Sequence, residues 1–208
     1  MPNRAMSIVA YIGSQFRKPT GLGGRLSALV MNRMNQKQYN ATEAALELRD
    51  GDVVLDIGFG NGYMLRRLAR RNNSRFLGIE ISDDMLRAAL RRNRRAIADG
   101  RMTLTHGDVA RLDFADGFFD KAYTVNTVYF WSDLDSCLAE LHRTLKLGGT
   151  FVNTVYTKEF LDSLPFTKRG FAKYSSEELT AASERVGFAV KSVPIASGKA
   201  YCLLCVKV

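Results

Sequence analysis

The sequence predicts an α/β fold: a doubly wound, mostly parallel sheet with helices on both faces and a helical cap at the N-terminus. Three observations carry that expectation. Residues 53–62, Val-Val-Leu-Asp-Ile-Gly-Phe-Gly-Asn-Gly, read as a buried strand that ends in a carboxylate and breaks into a glycine loop, after which a helix starts. Two further strand-like stretches, 75–80 and 102–106, also finish beside an acid, at Glu80 and at Asp108. From residue 51 onward, strand-like and helix-like segments alternate, the pattern of a parallel sheet with crossover helices.

The elements follow in order. Residues 1–50 read as a helical cap and 51–208 as one compact unit. A first helix covers about 4–16 and stops at the breaker cluster Lys18-Pro19-Thr20-Gly21-Leu22-Gly23-Gly24. A second covers 24–35, with Leu26, Leu29, Val30 and Met34 as its apolar stripe. A third follows Asn40, with Glu43 completing a capping box, and stops before Asp50-Gly51. Strands fall near 52–57, 75–80, 102–106, 119–125 and 149–155, and helices near 61–72, 83–98 and 133–146. A connecting loop spans 157–174, Ser175 and Glu178 cap a last helix to about 186, and strands near 188–195 and 200–207 close the chain.

The glycine loop carries the most chemistry. Glycines at alternate positions let the backbone turn sharply and let a ligand lie against it without meeting a Cβ. A dinucleotide-binding loop carries G-x-G-x-x-G and holds a pyrophosphate on helix-start amides. Here the third glycine comes one residue early, at Gly62, and Tyr63 fills the other slot. Asp56, just before the loop, would repel a phosphate and suits a ligand carrying an ammonium. Glu80 lies 18 residues past Gly62, where a carboxylate can accept from both hydroxyls of a ribose. Such ligands sit in the crevice at the carboxyl ends of the strands.

Taken together, these residues resemble the class I S-adenosylmethionine-dependent methyltransferases. The matching features are D-I-G-F-G-N-G at 56–62, Glu80, Gly107-Asp108-Val109, the fourth strand Phe119-Asp120-Lys121-Ala122-Tyr123, and the turn Leu141–Thr150 before strand five. The resemblance covers roughly 50–208. It implies a Rossmann-like sheet whose last two strands form an antiparallel hairpin at the edge, and S-adenosyl-L-methionine as cofactor. It further implies that Asp56 with Gly58, Gly60 and Gly62 holds the amino-acid end, that Glu80 holds the ribose, and that Ile81 and Met85 flank the adenine. Asp108 would accept from the exocyclic amine with Val109 against the ring, and Asn126 completes the cofactor set. Met85 fits the core stripe of its helix equally well.

Methyl transfer is a displacement at a sulfonium carbon, so positioning does most of the work and no catalytic triad is expected. After strand four comes Asn126-Thr127-Val128-Tyr129-Phe130-Trp131. It lacks the paired prolines of the nucleobase amino-methyltransferase motif and the Pro-Cys of C5-pyrimidine enzymes, which argues against both. Tyr129, Phe130 and Trp131 are candidates for lining an apolar acceptor pocket, or for core packing. Tyr11 in the first helix is a candidate to reach over that pocket. His106 and His142 are candidate bases, with structural roles preferred. Phe160, Phe166 and Tyr174 lie in the 157–174 loop, a lid position.

Bulk properties bound the rest. No apolar run reaches the 18 or so residues of a membrane helix, and the stretch from Ala5 to Ile12 makes a poor signal peptide, so a cytoplasmic protein is expected. Three cysteines suit a reducing compartment. Cys202 and Cys205 point to opposite faces of a strand and read as core residues, and no metal site is expected. The net charge is +9, with arginines crowded over 66–101. Arg87, Arg91, Arg94 and Arg95 share one face of the 83–98 helix, with Met85, Leu86, Ala89, Leu90 and Ile97 mostly on the other. A solvated helix face is the preferred account, and attraction to nucleic acid, an anionic membrane or an acidic substrate is the alternative. The expected activity is methyl transfer to a small-molecule acceptor, in the manner of ubiquinone/menaquinone-type and natural-product enzymes. An RNA or protein methyltransferase recruited by the basic surface, and a cofactor-binding module without catalysis, are the competing readings. The sequence leaves the oligomeric state open.

Overall fold

The computed structural model describes residues 31–168 and 170–208. Tyr11, the expected helix at 4–16, the breaker cluster and most of the 24–35 helix lie outside the described residues. The core is one seven-stranded sheet built from β1 (Val53–Ile57), β2 (Arg75–Glu80), β3 (Met102–His106), β4 (Phe119–Val125), β5 (Leu145–Tyr156), β6 (Phe188–Ile195) and β7 (Ala200–Lys207). Their spatial order is β3-β2-β1-β4-β5-β7-β6. The first five pair in parallel, and β7 runs antiparallel to both β5 and β6, as the hairpin reading expected. Strand order reverses between β1 and β4, which opens a crevice at their carboxyl ends.

Side-chain alternation divides the core in two. Leu55, Leu77, Ala122, Phe151 and Leu203 join one cluster, and their chain neighbours Val54, Phe76, Tyr123, Val152 and Cys202 join the other. Cys202 and Cys205 fall into different clusters, and all three cysteines are free and buried. The first cluster is covered by α5 (Leu134–Thr144) and α7 (Ser176–Arg185). The second is covered by α1 (Gln36–Leu46) and α2 (Tyr63–Ala69), with α3 (Asp83–Arg92) alongside them. The capping box of α7 forms as read, from Ser175 and Glu178.

Three elements depart from the sequence reading. The expected helix start at Asn40 is not there: residues 31–34 are helical, Asn35 interrupts, and α1 runs through Asn40. Glu43 instead forms ion pairs with Arg67 and Arg71 of α2. The helix expected at 83–98 is two, α3 and then α4 (Arg94–Ala98), because Asn93 leaves the helical path to reach the glycine loop. Its Nδ2 donates to the Gly62 carbonyl at 3.1 Å and to the Ala89 carbonyl at 3.0 Å. Strand five begins at Leu145 rather than 149, and the Gly148-Gly149 stretch is absorbed into a register shift against β4. The 157–174 loop contains a short helix, α6 (Lys158–Asp162), and a 3₁₀ turn over Pro165–Thr167. Among the described residues no helix is long and apolar enough to cross a membrane.

One glycine outside the loop couples the sheet to it. A Cβ on Gly78 of β2 would stand 2.6 Å from Phe59 Cδ1 and 2.9 Å from Leu104 Cδ2, both on buried side chains. Gly78→Ala should therefore lower stability by about 1–3 kcal/mol, the range for overpacking a filled core. Thermal melting checks this, and an unchanged midpoint would mean that Phe59 gives way at no cost.

Candidate functional site

The site begins where β1 must reverse into α2 within five residues. Gly58, Gly60 and Gly62 all take positive φ, at 70°, 53° and 70°. Packing accounts for two of them: a Cβ at Gly58 would stand 2.6 Å from Thr127 Cγ2, and one at Gly62 2.5 Å from Asn93 Nδ2. Nothing lies within 4 Å of a Cβ at Gly60, so that glycine faces open space. The loop is pinned to β2: Gly58 N–H donates to the Ile79 carbonyl at 2.8 Å, and Gly60 N–H donates to Glu80 Oε2 at 2.9 Å. The other Glu80 oxygen accepts from the Ser82 N–H at 2.9 Å. Each oxygen keeps a lone pair for a ligand.

Two buried carboxylates, Asp56 and Glu80, stand near the carboxyl ends of β1 and β2, and neither forms an ion pair among the described residues. Asp56 is 3% exposed and accepts from the Tyr123 hydroxyl at 2.6 Å. Burial pushes its carboxyl up to about 8; the Tyr123 hydrogen bond opposes that rise, and the negative charge of Glu80 adds to it. Glu80 is raised as well, chiefly by burial, with the N–H groups of Ser82 and Gly60 opposing. Tyr123 lies well above its ordinary value because of burial and the neighbouring Asp56, so it keeps its proton and donates. A cleft of this kind repels phosphate and favours a cation.

The cleft has two walls. Gly58, Phe59, Gly60, Asn61, Glu80 and Met85 form one, and Val125, Asn126, Thr127 and Phe130 continue it from the end of β4. Met31, Asn32, Asn35 and Tyr39 form the other. Tyr39 donates to Asn32 Oδ1 at 3.2 Å within this segment, and Gln36 Nε2 donates to the Tyr63 hydroxyl at 3.4 Å while the Tyr39 and Tyr63 ring centroids lie 5.5 Å apart, which fastens the segment over the loop. None of these four wall residues was singled out from sequence. The available signal was the four-residue spacing of Met31, Asn35 and Tyr39, which sets them on one helix face.

A second, apolar pocket adjoins the cleft and shares Met31, Asn35, Asn126 and Phe130 with it. Met34, Tyr129, Leu161, Leu164, Phe166 and Phe171 complete most of its lining. Asn126, at φ 59°, stands at the junction. Its Oδ1 accepts from the Tyr129 hydroxyl at 3.1 Å and from the Tyr156 N–H at 3.2 Å. Burial lifts the Tyr129 hydroxyl well above its ordinary range. Among the described residues, no Asp, Glu, His, Lys or Cys lines this pocket.

The structure thus brings Gly58, Gly60, Glu80, Met85 and Asn126 onto one cleft and Tyr129 into the adjoining pocket, while Asp56 is buried in β1 against Tyr123 and outside the cleft lining. Other expected residues are elsewhere. Gly62 packs under Asn93. Ile81 is 53% exposed and Asp108 is exposed, its Oδ1 accepting from the Ala110 N–H at 3.0 Å, while Val109 belongs to the core. Trp131 lies along Phe151, ring centroids 6.4 Å apart, because the 3₁₀ turn Val128–Phe130 ends just before it. His142 packs edge-on against Phe188 near Gly187, on the α5 side of the sheet. His106 is exposed, its Nε2 3.1 Å from the Ile81 carbonyl. Of the lid candidates, Phe166 lines the apolar pocket, Phe160 packs on Tyr156, and the carbonyl of Tyr174 accepts from the Tyr201 hydroxyl.

Comparison with known proteins agrees with this geometry. A family model described as a methyltransferase domain matches residues 55–153. An uncharacterized methyltransferase of Bacillus subtilis (strain 168) is 28% identical over 158 residues, which is 76% of this chain and 84% of that protein. A sterol 24-C-methyltransferase of Eremothecium gossypii is 27% identical over 175 residues, 78% of this chain but 46% of that protein, so the chain spans about half the length of such relatives. A crystal structure of a SAM-dependent methyltransferase from Aquifex aeolicus superposes with a TM-score of 0.72 at 19% identity, covering 85% of this chain and 93% of that one. At that identity the superposition speaks to fold alone.

The buried carboxyl makes a prediction for the unliganded protein. Asp56 titrates near 8 in the folded state against an ordinary 3.8. Between those values the folded chain holds a proton that the unfolded chain has released, so this group costs stability as pH rises from about 4 to about 8. Asp56→Asn keeps an acceptor for Tyr123 and removes the titration. Denaturant melts at pH 5 and pH 8 should show the parent losing stability over that interval, and the variant losing less, by on the order of 1 kcal/mol or more. Parallel losses in the two proteins would count against the raised carboxyl.

Proposed function

We propose that this chain, whose residues 55–153 match a methyltransferase domain, is a class I S-adenosylmethionine-dependent methyltransferase that transfers the methyl group to a small, largely apolar acceptor by in-line displacement. The observation that carries this reading is the junction: the acidic cleft opens into the apolar pocket at Asn126 and Phe130. The residues present fit the cofactor, because a raised carboxyl in the cleft, Glu80, with a second, Asp56, buried two residues before Gly58, suits a cationic ligand, and Gly60 leaves its approach clear. When bound, S-adenosyl-L-methionine supplies an electrophilic methyl on a sulfonium.

The chain's own residues then do three things. Glu80 would offer its spare lone pairs to the ribose hydroxyls, and the backbone of Gly58 to Gly60 would lie along the ligand. Met85 would border the adenine, and Asp56 would serve the amino-acid end. Asn126, Tyr129 and Phe130 border the path between cleft and pocket, where holding the acceptor in line contributes several kcal/mol through orientation alone. Tyr129 and Tyr156 are the titratable side chains in the pocket's described lining, and burial raises both, so both keep their protons near neutral pH. That favours an acceptor that is nucleophilic without a protein base. The sterol relative acts on an apolar molecule, as its name states, and supports the same class.

Adenosylhomocysteine should bind with micromolar affinity and NAD should not. Glu80→Ala should weaken adenosylhomocysteine by about 1.5–3 kcal/mol, the range for hydrogen bonds to a charged group. Calorimetry checks both, and tight NAD binding with no adenosylhomocysteine binding would sink the assignment.

Acceptor class is tested with methyl-labelled cofactor against prenylated phenols and sterols, and in parallel against bulk RNA and protein. Label should appear in the small molecules. Phe171→Asp should abolish that transfer while leaving adenosylhomocysteine affinity intact. Label confined to RNA or protein would overturn the small-acceptor reading.

A further inference from the structure

We propose that an arginine-lined double groove beside the methyl-transfer cleft binds the phosphate backbone of a single-stranded nucleic acid. Two concavities adjoin one another on the face made by α2, the end of α3 and α4, and they share Arg66, Arg70 and Arg92. Arg91, Arg94, Arg95 and Arg101 line the larger one. Asp99 is the one acidic residue in either lining. Glu43 pairs with Arg67 and Arg71 at the α1 margin, whereas Arg66, Arg70, Arg91, Arg94 and Arg95 form no ion pair among the described residues.

The fold gathers these charges at some cost. Arg91 and Arg92 end α3, Asn93 breaks the helix, and Arg94 and Arg95 open α4. All four line the larger groove, together with Arg66 of α2 and Arg70 at its end. Arg92 lies 5.8 Å above the Tyr63 ring and is half-buried; burial lowers its pKa, and the charge of Arg66 lowers it further. Ordinary surfaces mix the two signs of charge. An uncompensated, concave cluster of one sign is a site for the other.

Arginine points to phosphate, because its planar fork donates two parallel hydrogen bonds to a phosphate group. The dimensions favour a chain of phosphates: the charges run through both concavities rather than converging on one point. A bilayer surface fits less well. It takes a flat or convex basic patch with apolar side chains to insert, and none of the exposed large hydrophobics, Met34, Ile81, Leu90, Leu147 and Val208, lines either groove. The grooves share no lining residue with the cleft or the apolar pocket. The bound strand is therefore a tether and not the methyl acceptor. Tyr63 and Asn93, which border the grooves, also adjoin Gly62, so the tether lies one residue from the cofactor loop.

The test is fluorescence anisotropy of a labelled oligouridylate of about twenty nucleotides, the size of one or two site lengths of a single-strand binder, titrated with the whole protein over a salt series. The groove variant is Arg70→Glu/Arg94→Glu/Arg95→Glu. The control is Arg75→Glu/Lys158→Glu/Lys191→Glu, exposed residues outside both grooves with the same change in net charge. The parent should show a steep log–log salt dependence. The groove variant should lose about tenfold or more in affinity, and its slope should flatten by about two, as expected for three lost phosphate contacts. The control should lose much less. Equal losses in the two variants would reduce the effect to net charge, and absent or salt-independent binding by the parent would equally overturn the proposal. Groove-dependent sedimentation with phosphatidylglycerol vesicles, without oligouridylate binding, would assign the groove to a membrane instead. Adenosylhomocysteine calorimetry on each variant reports that the fold is intact. If the groove variant fails that check, Arg70→Gln/Arg94→Gln/Arg95→Gln replaces it and is read by the same criteria.

Discussion

The hydrogen bond from the Gly60 N–H to the Glu80 carboxylate is the contact on which the rest of the site depends. It ties the loop after β1 to the end of β2, on the side of β1 away from β4, where strand order reverses, and it holds a five-residue reversal open toward solvent. Gly58 and Gly62 supply the turn and the close packing, against Thr127 on one side and Asn93 on the other. The loop is thus wedged between the end of β4 and the end of α3. Its shape is set by backbone and by small, fully packed contacts, so it is formed before any ligand arrives.

The same construction leaves a cost at the carboxyl ends of β1 and β2. Asp56 and Glu80 are both buried and both raised, and the charge of Glu80 opposes the ionisation of Asp56. A chain selected for stability alone would not keep such a pair. A ligand with positive charge relieves it, since the cation favours the ionised form of both groups. The strain that makes the empty site unfavourable is the same term that gives a cationic cofactor its affinity. Tyr123, which faces Asp56 across the β1–β4 register, moderates the strain without neutralising the charge.

Two layers then divide the work around that pair. The segment from Met31 through α1 roofs the cleft, anchored by Tyr39, Gln36 and the ion pairs of Glu43. The segment after β5 folds back to enclose the apolar pocket with Leu161, Leu164, Phe166 and Phe171. The two meet where Tyr156 donates to Asn35 at 3.1 Å. A polar compartment and an apolar one therefore touch along a short front centred on Asn126, as the proposed transfer from a charged cofactor to an apolar acceptor requires.

The sequence by itself determined what depends on local pattern. Buried strands such as Val53–Ile57 and Arg75–Glu80, the αL glycines, the Ser175–Glu178 cap and the terminal hairpin 188–195 with 200–207 were all legible, because period, turn chemistry and capping act over a few residues. Glu80 was legible for the same reason, at a fixed distance beyond a recognisable loop. The tertiary structure alone decided which side chains meet across long separations. It put Met31 to Tyr39 opposite the glycine loop, turned Trp131 and His142 into packing residues, and broke the 83–98 helix so that Asn93 could reach Gly62. Nothing local marks Asn93 as a breaker: it leaves the helix for a carbonyl 31 residues away. The same departure sets Arg91 and Arg92 at the end of α3 against Arg94 and Arg95 at the start of α4.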